Sequence, residues 1–360
     1  IQTSLVGSEM CIRDSLVAMD EWGSEVAAST LGPGASGAAV VGLRNRLINL
    51  GHMQRTFSAT YNGELKNAVR RFQAASGLLV TGVAGNLTME QINVPATERL
   101  AQIMVAMERE RWLNQDLGDR HVLVNLTDFT AKIMDFGKVT FQTNSVIGAH
   151  DDDRRSPEFS DTMEHMIVNP SWYVPRSIIT NEYLPMLQMD PNAVDFLELR
   201  DDLGNVVERA GLDFNDFDEE TFPFGMRQPP SVGNALGLVK FMFPNRNNIY
   251  LHDTPAKILF GREVRAFSHG CIRLENPFEF ANALLAVQSS DPKTQFQDAL
   301  DFGEEVQIDL DTHIPVHIIY RTAVTLPGGG LEFRRDIYGR DAKIWEALQL
   351  EGVVLSDFTG

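Results

Sequence analysis

The sequence predicts an α+β protein: a small three-helix unit, then a β-dominated domain carrying a lid-like insertion, closed by a further strand and helix. Three observations predict it. Between Gly32 and Val94 apolar residues recur at helical spacing and glycines punctuate them. From about Gly118 the texture changes to short segments rich in Val, Ile, Phe and Thr, with turns between. From 184 to about 230 the chain is acidic and rich in turn formers, which reads as an insertion.

Residues 1–31 show no clear period and stay unassigned. Met10-Cys11-Ile12-Arg13-Asp14-Ser15 resembles the translation of a transposon adapter used in sequencing libraries. Residues up to about Ser15 are therefore expected to be a cloning or assembly scar, and the lack of a signal segment there says nothing about localisation. In 32–95, Val40, Val41, Leu43, Leu47 and Leu50 fall near helical spacing, and Gly51 stops the run. Tyr61-Asn62-Gly63 makes a turn. Leu65, Val69 and Phe72 form one helix face, ended by Gly77. A third helix starts near Thr88. Residues 96–117 read as a linker helix whose stripe Leu100, Ile103, Met104 and Met107 should pack on the next domain or on N-terminal sequence.

In 118–325, strands are expected at His121 to Thr127, Thr130 to Phe136, Lys138 to Ile147, Met163 to Asn169, Leu238 to Phe243, Asn248 to Leu251, Glu305 to Asp309 and Pro315 to Tyr320. Helices are expected at Ala193 to Arg200 inside the insertion and at Pro277 to Ala286. In 326–360 a helix is expected from Gly339 to Leu348. Trp112 and Trp345 read as core.

Composition narrows the function. Of 360 residues, 43% are hydrophobic and 22% charged, enough apolar mass for a core. The net charge of −18 argues against a nucleic-acid partner. Two cysteines, Cys11 and Cys271, do not make a disulfide framework.

The sharpest signal is Ser268-His269-Gly270-Cys271-Ile272-Arg273-Leu274, preceded by Tyr250-Leu251-His252-Asp253-Thr254. A thiol attacks well only as thiolate, and a neighbouring imidazole can take its proton and leave a Cys–His ion pair. His252 precedes Cys271 by 19 positions. Gly270 lets backbone N–H groups approach a developing oxyanion. If the stretch is a strand, Cys271 and Arg273 share a face, and the guanidinium can clamp a substrate carboxylate.

Weaker patterns read as structural. Gly32-x-Gly34-x-x-Gly37 follows no strand, so the dinucleotide reading is rejected. His313 and His317 have no evident third ligand, and Asp213-x-Asn215-x-x-Asp218 lacks the glycine and glutamate of a calcium loop. No metal site is assigned.

The Cys motif with His252 resembles the signature of the L,D-transpeptidases with a YkuD-type catalytic domain. Arg111-Trp112-Leu113, Asn169-Pro170-x-Trp172-Tyr173-x-Pro175, Asn234-Ala235-Leu236-Gly237, Lys240-Phe241-x-Phe243-Pro244-Asn245 and Asp336-Ile337-Tyr338-Gly339-Arg340-Asp341 resemble the long, YcbB-like Gram-negative branch. Val41-x-Leu43-Arg44-x-Arg46-Leu47, Ala68-Val69-x-x-Phe72-Gln73 and Gly77-Leu78 resemble a peptidoglycan-binding domain.

The resemblance implies a mixed β-sandwich whose insertion caps the site. Cys271 would attack the carbonyl of the third residue of a peptidoglycan tetrapeptide stem, release the terminal D-Ala and pass the acyl group to the side-chain amine of a diaminopimelate, the third residue of another stem, giving a 3→3 crosslink. His252 would be the base, oriented by the Asp253 carbonyl, and His269 would shape the site. Tyr250, Gly270 and Cys271 would surround the oxyanion. Trp172, Arg273, Ser268, Asp253 and Asn234 would meet substrate. No cofactor is implied. Carbapenem-type β-lactams would acylate Cys271. The protein would be a monomer, periplasmic, and held at the inner membrane in its full-length form. The alternatives are an L,D-carboxypeptidase, with water as acceptor, and a non-catalytic peptidoglycan-binding protein.

Overall fold

The structure is a computed structural model that describes residues 25–113, 116–325 and 331–353. The expected scar, with Cys11, lies outside these residues.

The N-terminal unit has three helices, α1 (Ala38–Asn49), α2 (Gly63–Ala75) and α3 (Asn86–Asn93). Asn62 caps α2 by accepting the Leu65 N–H, as its place in the Tyr-Asn-Gly turn requires. Val40, Leu43, Leu47, Leu65, Val69, Phe72 and Ile92 close a core of their own.

Helix α4 (Ala96–Trp112) follows, and its buried face is not the apolar stripe. Arg99, Val105 and Arg109 are buried, while Leu100, Ile103 and Met104 are half-buried and Met107 is exposed. The arginines go inward because partners outside the helix meet their guanidinium groups. Arg99 donates to the Gln91 carbonyl at 2.8 Å, and Arg109 pairs with Asp341 at 2.9 Å and Glu158 at 2.8 Å. Arg109 also lies 5.0 Å over the Tyr320 ring. Arg109→Met strands the buried Asp341 carboxyl and is expected to cost about 3–5 kcal/mol, read as a lowered denaturant midpoint. A loss below about 1 kcal/mol would contradict this reading. Trp112 is 60% exposed and Trp345 half-buried, so neither is core.

The main sheet runs β1 (Arg120–Asn125), β2 (Thr130–Asp135), β3 (Lys138–Gly148), β4 (Phe159–Val168), then β9 (Val239–Met242), β10 (Leu251–His252), β11 (Ala266–Ser268), β12 (Ile272–Leu274) and β13 (Val306–Ile319). Its order is β11-β3-β12-β10-β9-β4-β13-β1-β2. Strand β3 pairs with β2 through its first half and with β12 through its second, so the sheet returns on itself. Its interior packs Val122, Phe129, Phe241, Leu251, Ile272 and Leu274 against α7 (Pro277–Leu285) and α8 (Pro292–Asp301). Phe241 meets Phe280 edge-on at 4.8 Å. The α+β reading holds. The two strands expected around residue 310 are one, β13, with a register break between Asp309 and Ile314.

The insertion starts earlier than expected and is not built on a helix at 193–200. It carries a four-stranded sheet of β5 (Trp172–Tyr173), β6 (Glu198–Arg200), β7 (Val206–Val207) and β8 (Gly225–Gln228), in the order β5-β8-β6-β7. Its helices lie at α5 (Arg176–Ile178) and α6 (Leu184–Met189), joined by a π-helical stretch, Ile179–Tyr183. Arg209 donates to the carbonyls of Ala193, Val194 and Leu197, which holds 193–197 in turns. After β13, β14 (Ala323–Thr325) pairs with β15 (Leu331–Phe333), and α9 (Arg340–Leu350) lies on α4. Among the described residues no helix is long and apolar enough to cross a membrane.

Candidate active site

Three short strands place the reactive side chains. In the parallel pair of β10 and β12, Leu251 lies beside Ile272 and His252 beside Arg273. In the antiparallel pair of β10 and β9, His252 lies beside Lys240 and Leu251 beside Phe241. Leu251, Ile272 and Phe241 are fully buried in the core. Strand alternation therefore sends Tyr250, His252, Cys271, Arg273 and Lys240 to the opposite face. Arg273, His252 and Lys240 form one row across the sheet. Cys271 and Tyr250 sit in the adjacent row, joined where the Ile272 N–H donates to the Tyr250 carbonyl at 3.1 Å.

The turn ahead of Cys271 is fixed by its own atoms. Gly270 has φ 110°, and a Cβ there would meet Ile249 Cδ1 at 3.0 Å. Ser268 Oγ donates to the Cys271 carbonyl at 2.6 Å and accepts the Gly270 N–H at 3.2 Å. Ser156 Oγ donates to the Gly270 carbonyl at 2.6 Å. The Gly270 N–H is thus committed to Ser268, which corrects its expected place as an oxyanion donor. The Cys271 N–H has no hydrogen-bond acceptor among the described residues.

Cys271 is half-buried, with Sγ 3.8 Å from the Asn248 carbonyl and against the Tyr250 hydroxyl. Burial pushes its thiol up to about 11, against hydrogen bonding from Tyr250 and the charge of Arg273. The His252 imidazole is driven the other way, to about 3. Burial is the main cause and the Arg273 charge the next; the Asp253 and Leu236 carbonyls oppose them, and Lys240 adds to the depression. Burial thus favours the neutral form of both groups, and the neighbouring cations work against an imidazolium, against the expected Cys–His ion pair. Among the described residues no hydrogen bond joins His252 to the sulfur; its Nδ1 faces the Asp253 carbonyl, and its ring meets that of Tyr250 at 5.7 Å. The parallel register sets His252 and Cys271 on a cross-strand diagonal, one strand spacing across and two residues along.

The buried imidazole has a consequence for stability. The unfolded chain protonates this histidine near pH 6.5, the folded one only near 3. Between those values the unfolded state binds the extra proton, so this stabilisation is complete above 6.5 and lost as pH falls. The His252 contribution to the slope should be about 1.4 kcal/mol per pH unit. Unfolding of wild type and His252→Gln at pH 4, 5 and 6 should show a shallower slope in the variant; equal slopes would contradict the assignment.

The remaining expected site residues take other places. Trp172 stands in the insertion's core, 8% exposed and edge-on to Tyr183 at 6.3 Å, rather than in an open groove. Asn234 is fully buried, its amide donating to the Pro170, Gln228 and Pro229 carbonyls and its oxygen accepting the Leu236 N–H. The Asp253 carboxylate accepts from the Leu238 N–H at 2.9 Å and Lys257 at 2.7 Å, leaving its carbonyl for His252. Ser268 is buried in the turn. These four side chains hold the scaffold and are corrected as substrate contacts. His269 reaches the insertion, its Nε2 2.5 Å from Glu182 in the π-helical stretch. Lys240, Glu182 and Ser156 were missed. Only Lys240 left a signal, its period-two offset from the apolar Val239 and Phe241. Among the described residues no group of three or more His, Cys, Asp or Glu could hold a metal ion. His317 binds Ser160 Oγ at 2.7 Å and the Leu117 carbonyl at 3.0 Å.

Comparison with known proteins adds two family matches. Residues 119–308 match YkuD, the L,D-transpeptidase catalytic domain, and residues 36–92 match a candidate peptidoglycan binding domain. A Haemophilus influenzae protein named as a candidate L,D-transpeptidase is 30% identical over 81% of this chain. The chain spans 58% of that relative's length. Among solved structures, an L,D-transpeptidase from Stackebrandtia nassauensis aligns at 15% identity over 82% of this chain and 97% of its own, with TM-score 0.31. One from Xylanimonas cellulosilytica aligns at 15% over 81% and 98%, with TM-score 0.26.

Proposed function

Because this chain belongs to the L,D-transpeptidase family with a YkuD-type catalytic domain, we propose that it forms 3→3 crosslinks in peptidoglycan through a thioester on Cys271. The observation that carries this reading is the single sheet face on which Cys271, Tyr250, His252 and Arg273 meet beside a capping insertion.

In the proposed cycle a tetrapeptide stem enters with the carbonyl of its third residue at Sγ. The sulfur attacks as His252 takes its proton, so charge appears only in the transition state. The Cys271 N–H and the Tyr250 hydroxyl donate to the oxyanion. The bond to the terminal D-Ala breaks, and His252 returns the proton to the leaving amine. An amine on a second stem then attacks the thioester, gives its proton to His252 and frees the thiol. The neutral resting pair suits this order, because an imidazole already protonated could not act as base. Carbapenems enter the same chemistry by opening their lactam on Sγ. The N-terminal unit holds the wall, and the place of action is the periplasm, with the full-length protein held at the inner membrane as a monomer.

Product analysis on disaccharide-tetrapeptides tests the reading. A dimer joined through third residues, with one D-Ala released per bond, is the expected product. Tripeptide alone would make the enzyme a carboxypeptidase, and no product from folded protein would leave a wall-binding module.

A further inference from the structure

Among the described residues, two cations on the reactive face have no carboxylate paired with them. Lys240 and Arg273 flank His252 in one row, on β9 and β12. On its other side Lys240 neighbours Ile167 of β4, so neither adjacent strand offers it an acid. Both side chains are half-buried. Among the described residues neither has a carboxylate at ion-pair distance or a hydrogen-bond partner for its charged end, and the buried Arg273 Nε is unsatisfied. The acid that acts on Lys240 from a distance is Glu305, whose carboxylate accepts the Ser171 N–H at 2.6 Å. Withdrawing a cation from water without a partner is costly. A chain with net charge −18 has acids to spare, yet places none here. The row has room for anions of a ligand.

We propose that Lys240 is a specificity residue that binds the side-chain carboxylate of the donor stem's third residue, while Arg273 binds the carboxylate of the departing D-Ala. The assignment rests on the transpeptidase reading. Two strand spacings separate the cations, about 10 Å between Cα atoms. Arg273, two residues from Cys271 on one strand, is nearer the scissile bond, and the D-Ala carboxylate is the anion nearest that bond. Lys240, beyond the imidazole, takes the more distant anion. Bound together, the carboxylates neutralise the two charges that press on His252.

The test uses the whole chain as wild type, Lys240→Met and Lys240→Arg, with two tetrapeptide donors. One donor carries the third-residue side-chain carboxylate free, the other as its amide. Mass spectrometry follows acyl-enzyme formation on Cys271, and the quantity read is the ratio of kcat/KM for acid over amide. Wild type should favour the acid by about ten- to a hundredfold. The ratio should fall about tenfold or more in Lys240→Met and be largely kept in Lys240→Arg. An unchanged ratio in Lys240→Met, or no preference in wild type, overturns the assignment and leaves the transpeptidase reading standing. If neither donor acylates a thiol that iodoacetamide still alkylates, that reading falls and the assignment with it.

Discussion

Cys271→Ala is expected to abolish crosslinked product, with a loss of about 10⁴-fold or more, because it removes the thiol to which the acyl chain is joined. The side chain is small and half-buried, and the turn that presents it is held by backbone and by Ser268 and Ser156. The variant should therefore fold, and its circular dichroism and melting should match wild type closely. Cys271→Ser should fail almost as completely, since burial that holds a thiol near 11 holds a hydroxyl further from ionisation. Product formation by Cys271→Ala above a tenth of the wild-type rate would remove the nucleophile from this account.

The second large effect falls on His252. His252→Gln keeps an amide that can donate to the Asp253 carbonyl but removes the base, and acyl-enzyme formation should drop by about 10²–10⁴. The free enzyme should also show how its thiol is kept. With the thiol near 11, about one molecule in ten thousand is thiolate at pH 7. Alkylation by iodoacetamide should then climb about tenfold per pH unit from 7 to 10, with no plateau. His252→Gln should leave that profile almost unchanged, because the imidazole carries no charge there. A plateau below pH 8 in wild type, lost in the variant, would mean a standing ion pair and contradict the electrostatics described above.

The helices and strands legible in the sequence are those whose signals are local. Asn62 before α2 and the Leu65, Val69, Phe72 spacing needed no tertiary context. Helix α8 escaped notice because only Phe296 and Ala299 are buried on it, although Asp291 as cap and Pro292 at the first turn mark its start. Strand β13 read as two pieces because its pattern breaks before Pro315; the register shifts between Asp309 and Ile314, and Pro315 then pairs with Thr162. The false helix at 193–200 and the inverted face of α4 share one cause. Arginines are read as surface residues, and here Arg209, Arg99 and Arg109 bond partners outside their own helix or turn.

The site was legible to the extent that it lies on strands next to its motif. Alternation from Cys271 gives Arg273, and the parallel partner gives Tyr250 and His252. Trp172 and Asn234 lie on the insertion, where spacing says nothing about which way a side chain points. The protonation states were beyond the sequence as well, because they depend on burial and on Lys240, a neighbour only through the sheet.

The central claim is that one sulfur carries the acyl group. The most direct measurement is intact and peptide mass spectrometry of the whole chain after incubation with a carbapenem, alongside Cys271→Ala and Cys11→Ser. The account predicts a single adduct on the peptide containing Cys271, kept in Cys11→Ser and absent in Cys271→Ala. An adduct on any other residue, or none on folded protein, would contradict it.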